Sequence, residues 1–332
     1  MKKQLFGVVL GLAFLGACSK PSASDEKSIW IYSSCYKEVL AIYEPYIQKL
    51  IPGVKINWFQ AGSENIGAKV LAELSGQGTQ ADILITSDLF FYQELKKQGH
   101  FLPLDNSSYP KLPTENLDPD KAFAVSRFPV MVLAYNTDVI TKDPPKSYKD
   151  LVDPRFKGLV SMGSPLESGT SLTSLMYLHD MMGADYFKKL RANDVIAAGG
   201  NGATMARLQS GERPVGMILM ENVLQAEAKG QKNVKFVLPE EGVLALPSPI
   251  AIFKSTKHPE IAQKIVQWFL SEEAQDVVTK GLYYGAYPQA MAPAGAPAWN
   301  ELKKLPWSLA LFDTWGAKKQ EIKDEFQSTV LR

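Results

Sequence analysis

Residues 168–171 read Ser-Gly-Thr-Ser and place three hydroxyl groups around a residue with no side chain. The apolar residues that follow recur at helical spacing, at Leu172, Leu175, Met176 and Leu178. The first N–H groups of a helix have no partner within it and carry the positive end of its dipole, so this start suits a phosphate or phosphonate oxygen. Serine and threonine also begin many helices as ordinary N-caps, and the residues alone leave both interpretations open.

Two further polar residues are candidates for ligand contacts. Asn201 follows a glycine-rich stretch and opens another helical pattern, so it is either a contact or a turn asparagine. Glu221 follows the apolar run 215–220, which predicts a buried strand. A carboxylate buried there is costly without a partner, and that partner is either a hydroxyl or ammonium group of a ligand or a protein lysine or arginine.

Charge and composition exclude several classes of function. The 332 residues include 36 Lys+Arg against 35 Asp+Glu with no basic block, so nucleic acid is not an expected partner. Two cysteines and three dispersed histidines do not predict a Cys/His metal site, and no cofactor motif occurs. Hydrolase, zincin, dinucleotide and Walker motifs are missing, and the Ser-x-x-K match at Ser34 lacks the companion motifs of penicillin-binding proteins. We therefore expect no catalytic residues and no enzyme.

The amino terminus has the features of a bacterial secretory signal. Lys2 and Lys3 precede an apolar run at 5–17, which is too short to span a bilayer as a permanent helix. The run ends in Leu-Gly-Ala before Cys18, which resembles the lipobox of bacterial lipoproteins, where the cysteine receives a lipid. We expect removal of residues 1–17, lipidation of Cys18, and a tether at 18–27 that anchors the protein in the bacterial cell envelope, facing the periplasm or the cell exterior. A plain secretory signal is the alternative.

Strand and helix patterns alternate along the body of the chain. Apolar runs predict strands at 29–33, 54–59, 81–86, 130–135, 159–162 and 215–220. Helical patterns separate most of these runs, which predicts βαβ units and an α/β fold. Open parallel sheets bind ligands beyond the carboxyl ends of their strands. The loops at that position are 33–36, 61–64, 87–88 and 164–171.

Several segments together resemble one protein family. They are Tyr135-Asn136-Thr137, 148–158, Ser168-Gly169-Thr170, 258–260, 268–275 and 285–288. With the lipobox and tether, their order and spacing are similar to the solute-binding lipoproteins of bacterial ABC importers, and more narrowly to the group for ferric ion and organophosphates. The resemblance implies a type II periplasmic-binding-protein fold, whose two lobes are each a mainly parallel sheet flanked by helices and are joined by two crossover strands. We assign 28–129 and 254–332 to lobe 1 and 130–253 to lobe 2.

The resemblance also implies a ligand site between the lobes. Ser168, Gly169 and Thr170 match the serine-glycine-small triplet that holds the anion in ferric-binding relatives, and Asn201 matches an asparagine at their cleft. The opposing wall from lobe 1 is expected to include Ser33, Ser34, Tyr36 and Ser87. Arg127 is a further candidate for the anion, with a surface ion pair as the alternative.

The metal ligands of the iron-binding relatives are missing from the corresponding positions. Their tyrosine pair falls on Met220 and Glu221, and a histidine used by many of them falls on Tyr36. Ferric ion prefers anionic oxygen ligands, so the loss of the pair argues against a metal site. Tyr283 and Tyr284 form another pair, but in a different segment, where core or lobe packing is expected.

These observations predict a monomeric binding protein that captures a phosphate- or phosphonate-bearing small molecule in the cleft and delivers it to an ABC permease. Closure of the lobes on the ligand is the expected mechanism. Two alternatives stay open. One is ferric iron held with a synergistic anion, and the other is a sensory lipoprotein that presents its ligand to a membrane receptor.

Overall fold

The computed structural model describes residues 27–331 except residues 106 and 108. The predicted signal peptide, the predicted lipidation site Cys18 and all of the predicted tether except Lys27 lie outside the described residues. The strands are β1 (Ser28–Ser33), β2 (Lys55–Gln60), β3 (Ile83–Ile85), β4 (Ala124–Phe128), β5 (Val130–Asn136), β6 (Val160–Met162), β7 (Ile196–Ala197), β8 (Val215–Leu219), β9 (Val234–Val237), β10 (Leu244–Ala245), β11 (Ser248–Ile252) and β12 (Tyr284–Gly285). The helices are α1 (Lys37–Leu50), α2 (Ser63–Leu74), α3 (Leu89–Lys97), α4 (Gly169–Met182), α5 (Asp185–Ala192), α6 (Asn201–Ser210), α7 (Met220–Ala228), α8 (Pro259–Phe269), α9 (Glu272–Lys280), α10 (Leu309–Gly316) and α11 (Lys319–Val330). Among the helices of this described part, none has both the length and the apolar character needed to span a membrane.

The first sheet has the strand order β12-β4-β11-β3-β1-β2. β1 pairs in parallel with β2 and β3, whereas β11 runs antiparallel to β3 and β4. Successive strand side chains point to opposite faces, so Ile31 and Tyr32 enter two different apolar clusters. Helices cover both faces, and the carboxyl ends of β1, β2 and β3 meet at one edge.

The second sheet has the order β10-β5-β8-β6-β7, and β9 also pairs with β5. β6 is parallel to β7 and β8, and β5 is antiparallel to β8, β9 and β10. The predicted α/β fold is confirmed, but both sheets are mixed rather than mainly parallel. A parallel neighbour requires a long crossover connection, whereas β5 and β11 enter directly from the other sheet and pair antiparallel with the strands beside them.

Two short segments connect the sheets. Pro129 separates β4 from β5, and Leu246 and Pro247 separate β10 from β11. They lie side by side, because the backbone N–H of Leu246 donates to the Pro129 carbonyl at 2.9 Å. The predicted boundary after Phe253 is wrong, since β11 belongs to the first sheet. The sequence is apolar on both sides of this crossing, so hydropathy does not mark it.

The carboxyl-terminal helices divide between the lobes. α10 packs on α3 beside the first sheet, where the rings of Phe312 and Phe90 are 4.9 Å apart. α11 packs instead on α4 and α5 beside the second sheet, where Phe326 meets Phe187 edge-on at 5.3 Å. The assignment of all of 254–332 to lobe 1 is therefore corrected. Lobe 1 contains the first sheet with α1–α3 and α8–α10, and lobe 2 contains the second sheet with α4–α7 and α11.

The packing of α11 on lobe 2 predicts that the stability of the protein depends on Phe326. Phe326→Ala should lower the free energy of unfolding by about 3–5 kcal/mol, because it removes a fully buried ring. Urea denaturation measures the loss. The exposed Gln327→Ala on the same helix is the control, expected within about 0.5 kcal/mol of the wild type. Equal losses in the two variants would contradict this packing role.

Candidate ligand-binding cleft

A cleft of about 240 Å³ lies between the two lobes. Lobe 1 lines it at the carboxyl ends of its parallel strands, with Ser34 after β1, Gln60 at the end of β2 and Ser87 after β3. Lobe 2 contributes Leu219 at the end of β8, and Pro129 of the first crossover also lines the cleft. A space of this size suits a small metabolite rather than a macromolecule.

Five helices begin at the walls of this cleft. The residues directly before α1, α2, α4, α6 and α7 all line it, and they are Tyr36, Gly62, Ser168, Gly200 and Leu219. The first N–H groups of each helix lack intrahelical partners, and the helix dipole makes that end partly positive. The described cleft lining includes Glu167 and Glu221 but no lysine, arginine or histidine. Among the described lining groups, partial positive charge therefore comes from backbone N–H groups, while the buried Arg127 interacts electrostatically with Glu221 from outside the lining.

Ser168, Thr170 and Asn201 meet where α4 and α6 begin. The Ser168 and Thr170 hydroxyl oxygens are 2.9 Å apart, and Asn201 Nδ2 donates to Thr170 Oγ1 at 3.0 Å. Ser168 is also the N-cap of α4, because its Oγ accepts from the Ser171 N–H at 3.3 Å. The buried Oδ1 of Asn201 has no hydrogen-bond partner among the described residues. The protein thus leaves this polar group, which lines the cleft, incompletely satisfied.

Gly169 is placed differently from the expectation. It does not line the cleft with its two neighbours in the triplet, and it faces lobe 1 instead. A Cβ at this position would lie 2.8 Å from the Ser87 carbonyl oxygen. The missing side chain of Gly169 therefore permits contact between the lobes.

Glu221 is the second residue of α7 and not part of a strand, since β8 ends at Leu219. Its side chain lines the cleft, the residue is only 3% exposed, and Oε1 has no hydrogen-bond partner in the described chain. None of the ion pairs between described residues includes it. Burial raises the pKa of its carboxyl to about 8, although the backbone N–H groups of Glu221 and Val130 act in the opposite direction. The protein lysine or arginine partner considered from the sequence is therefore not found in the described part.

Arg127 is buried and contacts the ring of Tyr283, with the guanidinium carbon 5.2 Å from the ring centroid. It neither lines the cleft nor forms a surface ion pair, so both expectations for it are wrong. Tyr283 is buried and also lines the cleft, beyond the packing role expected for it. Tyr284 has a packing role, because its hydroxyl donates to the Pro297 carbonyl at 2.7 Å.

The wall from lobe 1 contains three of its four predicted residues. Ser34, Tyr36 and Ser87 line the cleft. Ser33 does not, because it is fully buried and its Oγ accepts from the Cys35 N–H at 3.1 Å. The Tyr36 hydroxyl lies 3.1 Å from Nδ2 of Asn222 on lobe 2, so this hydrogen bond joins the two lobes.

Several lining residues were not identified from the sequence, and they are Gln60, Gly62, Ser63, Asn65, Pro129 and Glu167. The first four lie in or beside the loop 61–64, whose position after a strand marked it as a candidate. Their polar groups resemble those of any surface loop, so only that position could have pointed to them. Glu167 is at the rim, where its Oε1 accepts from the Gly199 N–H at 3.0 Å.

The chain belongs to the bacterial extracellular solute-binding protein family, whose model matches residues 79–309. A putative 2-aminoethylphosphonate-binding periplasmic protein of Salmonella typhi is 25% identical, over 69% of this chain and 68% of that protein. Iron uptake protein A1 of Synechocystis is also 25% identical, over 84% and 82%. The periplasmic binding protein AfuA from Actinobacillus pleuropneumoniae, solved with fructose 6-phosphate bound, has the same fold with a TM-score of 0.81 at 20% identity, over 92% of this chain and 99% of that one.

These findings confirm the family and the type II periplasmic-binding-protein fold predicted from the sequence. The protein is a solute-binding component of an ABC importer. Members of this family act outside the cytoplasm and bind solutes for a membrane permease.

The raised pKa of Glu221 predicts a pH-dependent effect on stability. In the unfolded chain this carboxyl ionises near its ordinary pKa, whereas in the folded protein it stays protonated up to about pH 8. Between these values the unfolded state binds fewer protons, so this group makes the free energy of unfolding fall as pH rises. The free energy of unfolding of Glu221→Gln, relative to that of the wild type, should therefore rise by a few kcal/mol when the pH is changed from about 5 to about 9.

Urea denaturation at the two pH values measures this gain. The exposed Glu240→Gln on the same lobe is the matched control, and its difference from the wild type should be small at both values. A Glu221→Gln variant whose difference from the wild type is also independent of pH would contradict the buried protonated carboxyl.

Proposed function

We propose that the cleft binds a small molecule carrying a phosphate or phosphonate group, and that this protein presents it to its permease. The observation that carries the proposal is the group of Ser168, Thr170 and Asn201 side chains at the starts of α4 and α6. Backbone N–H groups and hydroxyls at helix N-termini are well suited to phosphorus oxyanions. A phosphonate-binding relative and a fold neighbour with a bound sugar phosphate add support.

The proposed anion contacts are donors from two sources, the backbone of α4 and the hydroxyl groups at its start. The first N–H groups of α4, at Gly169 and Thr170, have no acceptor within their helix. The hydroxyls of Ser168 and Thr170 add one free donor, because one of the two donates to the other. The Asn201 amide holds these two hydroxyls in place, because its Nδ2 lies 3.0 Å from Thr170 Oγ1 and 3.5 Å from Ser168 Oγ.

Glu221 and the wall from lobe 1 are proposed to hold the organic part of the ligand. The unpartnered Oε1 of Glu221 needs a donor, and a hydroxyl or ammonium group supplies one. Ser34, Tyr36 and Ser87 add hydroxyl groups from the opposite side. A ligand that contacts both walls binds the closed form more tightly than the open one, and this difference in affinity drives closure.

Ferric iron with a separate anion is the second candidate. It is favoured by Tyr36, Tyr283 and Glu221, whose oxygens line one cleft, and by an iron-uptake relative. Burial raises the pKa values of both tyrosines, which opposes the phenolate form that a ferric site needs. The phosphorus-bearing ligand is therefore the better supported proposal.

The cellular context completes the proposal. We propose that residues 1–17 are a signal peptide, that Cys18 carries the lipid anchor, and that the protein works as a non-catalytic monomer at the cell envelope. Its sequence at 15–18 and its family support this context. Palmitate labelling of the wild type and of Cys18→Ala in a bacterial host tests the anchor, and labelling of the variant would refute it.

Titration calorimetry against a panel tests the ligand class. The panel contains 2-aminoethylphosphonate, fructose 6-phosphate, inorganic phosphate, the unphosphorylated fructose and ferric citrate. We expect one or more phosphorus compounds to bind and fructose not to bind. Binding of ferric citrate alone would replace the proposal with iron capture, and turnover of a bound compound would refute a purely binding role.

Removal of the anion hydroxyls should weaken binding of the phosphorus compounds found by this panel. Ser168→Ala combined with Thr170→Ala is expected to cost about 3 kcal/mol or more, roughly 100-fold in Kd, because hydrogen bonds to a charged group are lost. Ser174→Ala is the matched control, since its hydroxyl lies on the same helix but donates to the Thr170 carbonyl at 2.8 Å. An unchanged Kd in the double variant would contradict the anion site.

A further inference from the structure

We infer that Gly62 and Gly169 are positioning residues for lobe closure, and that their missing side chains allow the two lobes to meet in backbone contact beside the cleft. The inference rests on the proposed capture of a ligand between the lobes. Gly169, the glycine of the Ser-Gly-Thr triplet, thus has a role in closure. The proposed anion contacts come from its neighbours and from its own backbone N–H group.

Gly169 belongs to lobe 2 and faces three residues of lobe 1. A Cβ built on Gly169 would lie 2.8 Å from the Ser87 carbonyl oxygen, 2.8 Å from Asp88 Cβ and 2.9 Å from Ser63 Cβ. Separations below about 3 Å are far inside van der Waals contact, and interiors have little free space to relieve them. A side chain at position 169 is therefore incompatible with this arrangement of the lobes.

Gly62 makes the corresponding close contact from lobe 1 to lobe 2. It belongs to lobe 1, directly before α2, and a Cβ built there would lie 2.5 Å from the Glu167 carbonyl oxygen of lobe 2. The obstructing atom is again backbone, which cannot turn away as the end of a flexible side chain can. The two glycines thus make close contacts in opposite directions across the same boundary. We call the residues that meet here, Gly62, Ser63, Ser87, Asp88, Glu167 and Gly169, the glycine seam.

Local backbone geometry does not explain either glycine. Gly62 has φ −63° and ψ 152°, which any residue adopts, and Gly169 is not among the residues with positive φ. At Gly169, the first residue of a helix, alanine has the higher helix propensity. Within one separated lobe, alanine at either position meets none of the close contacts found here. The requirement for glycine therefore exists only when the lobes are together.

Gly202 provides the internal comparison. It lines the same cleft, lies in the first turn of α6, and has no atom within 4 Å of a Cβ built on it. Gly202→Ala adds the same methyl group to the same cleft without touching the opposite lobe. It separates an effect on closure from an effect of simply adding volume near the ligand.

The experiment is single-molecule energy transfer between dyes on the two lobes. Dyes are attached through Lys55→Cys on lobe 1 and Lys232→Cys on lobe 2, both exposed positions, while the native Cys35 is buried and Cys18 is replaced by alanine. The wild type, Gly62→Ala, Gly169→Ala and Gly202→Ala are compared without ligand and with 2-aminoethylphosphonate or fructose 6-phosphate. The readout is the fraction of molecules in the compact state, counted molecule by molecule.

We expect the ratio of compact to open molecules to fall at least about tenfold in Gly62→Ala and Gly169→Ala, which corresponds to about 1.4 kcal/mol. Gly202→Ala should match the wild type. The thermal midpoints of the four proteins without ligand should be similar, because each lobe tolerates alanine. This last result separates a closure role from a general defect in folding.

Equal compact fractions in all four proteins would overturn the inference, as would a wild type that binds one of these compounds and never reaches the compact state. Because the readout is the distance between lobes, it is independent of the ligand class. If Gly62→Ala and Gly169→Ala lower the compact fraction as expected but no phosphorus compound binds, the proposed function alone is refuted. Binding of such a compound with equal closure in all variants would refute the seam alone.

Discussion

The N–H groups that lack intrahelical partners at the starts of five helices are the feature on which the proposed ligand site depends. No cationic side chain is among the described lining residues, so within the lining these N–H groups are the ones that carry partial positive charge. Such groups are fixed by the fold and need no reorganisation when an anion arrives. The fold supplies them together because the strands of each sheet end at the cleft and the following helices begin there. We propose that an oxyanion binds at the starts of α4 and α6.

A buried carboxyl group is the second electrostatic feature of the cleft. Glu221 is buried beside the same helix starts, and its pKa is raised because water is largely excluded from it. A ligand that donates a hydrogen bond to Glu221 while its oxyanion accepts from α4 satisfies both ends of the cleft. This complementarity explains how a site without basic side chains can still select a charged molecule.

Closure connects this chemistry to transport. The Tyr36 to Asn222 hydrogen bond and the glycine seam are contacts that exist only when the lobes are together. A ligand that contacts both lobes adds to the stability of the closed form by the difference in its affinity for the two forms. The helix α11 on lobe 2 also reaches lobe 1, where Lys323 pairs with Glu64 at 2.7 Å.

The sequence predicted those features that depend on neighbouring residues. Ser168 and Thr170 could be placed because a helix start and its hydroxyls lie within one turn, and the alternating strand and helix patterns gave the fold class. The mixed sheets, the true second crossover at residues 246–247 and the docking of α11 depend on pairing between distant segments, which periodicity does not encode. The roles of Gly62 and Gly169 were missed for the same reason, because the atoms that exclude a side chain belong to the opposite lobe.

The most direct measurement of the central claim is NMR detection of couplings through hydrogen bonds, from nitrogen-labelled backbone amides to the phosphorus of a bound ligand. The account predicts couplings from the amides of Gly169 and Thr170, at the start of α4. A bound phosphorus compound that shows no coupling to this turn, or a cleft filled by ferric ion without phosphorus, would contradict it.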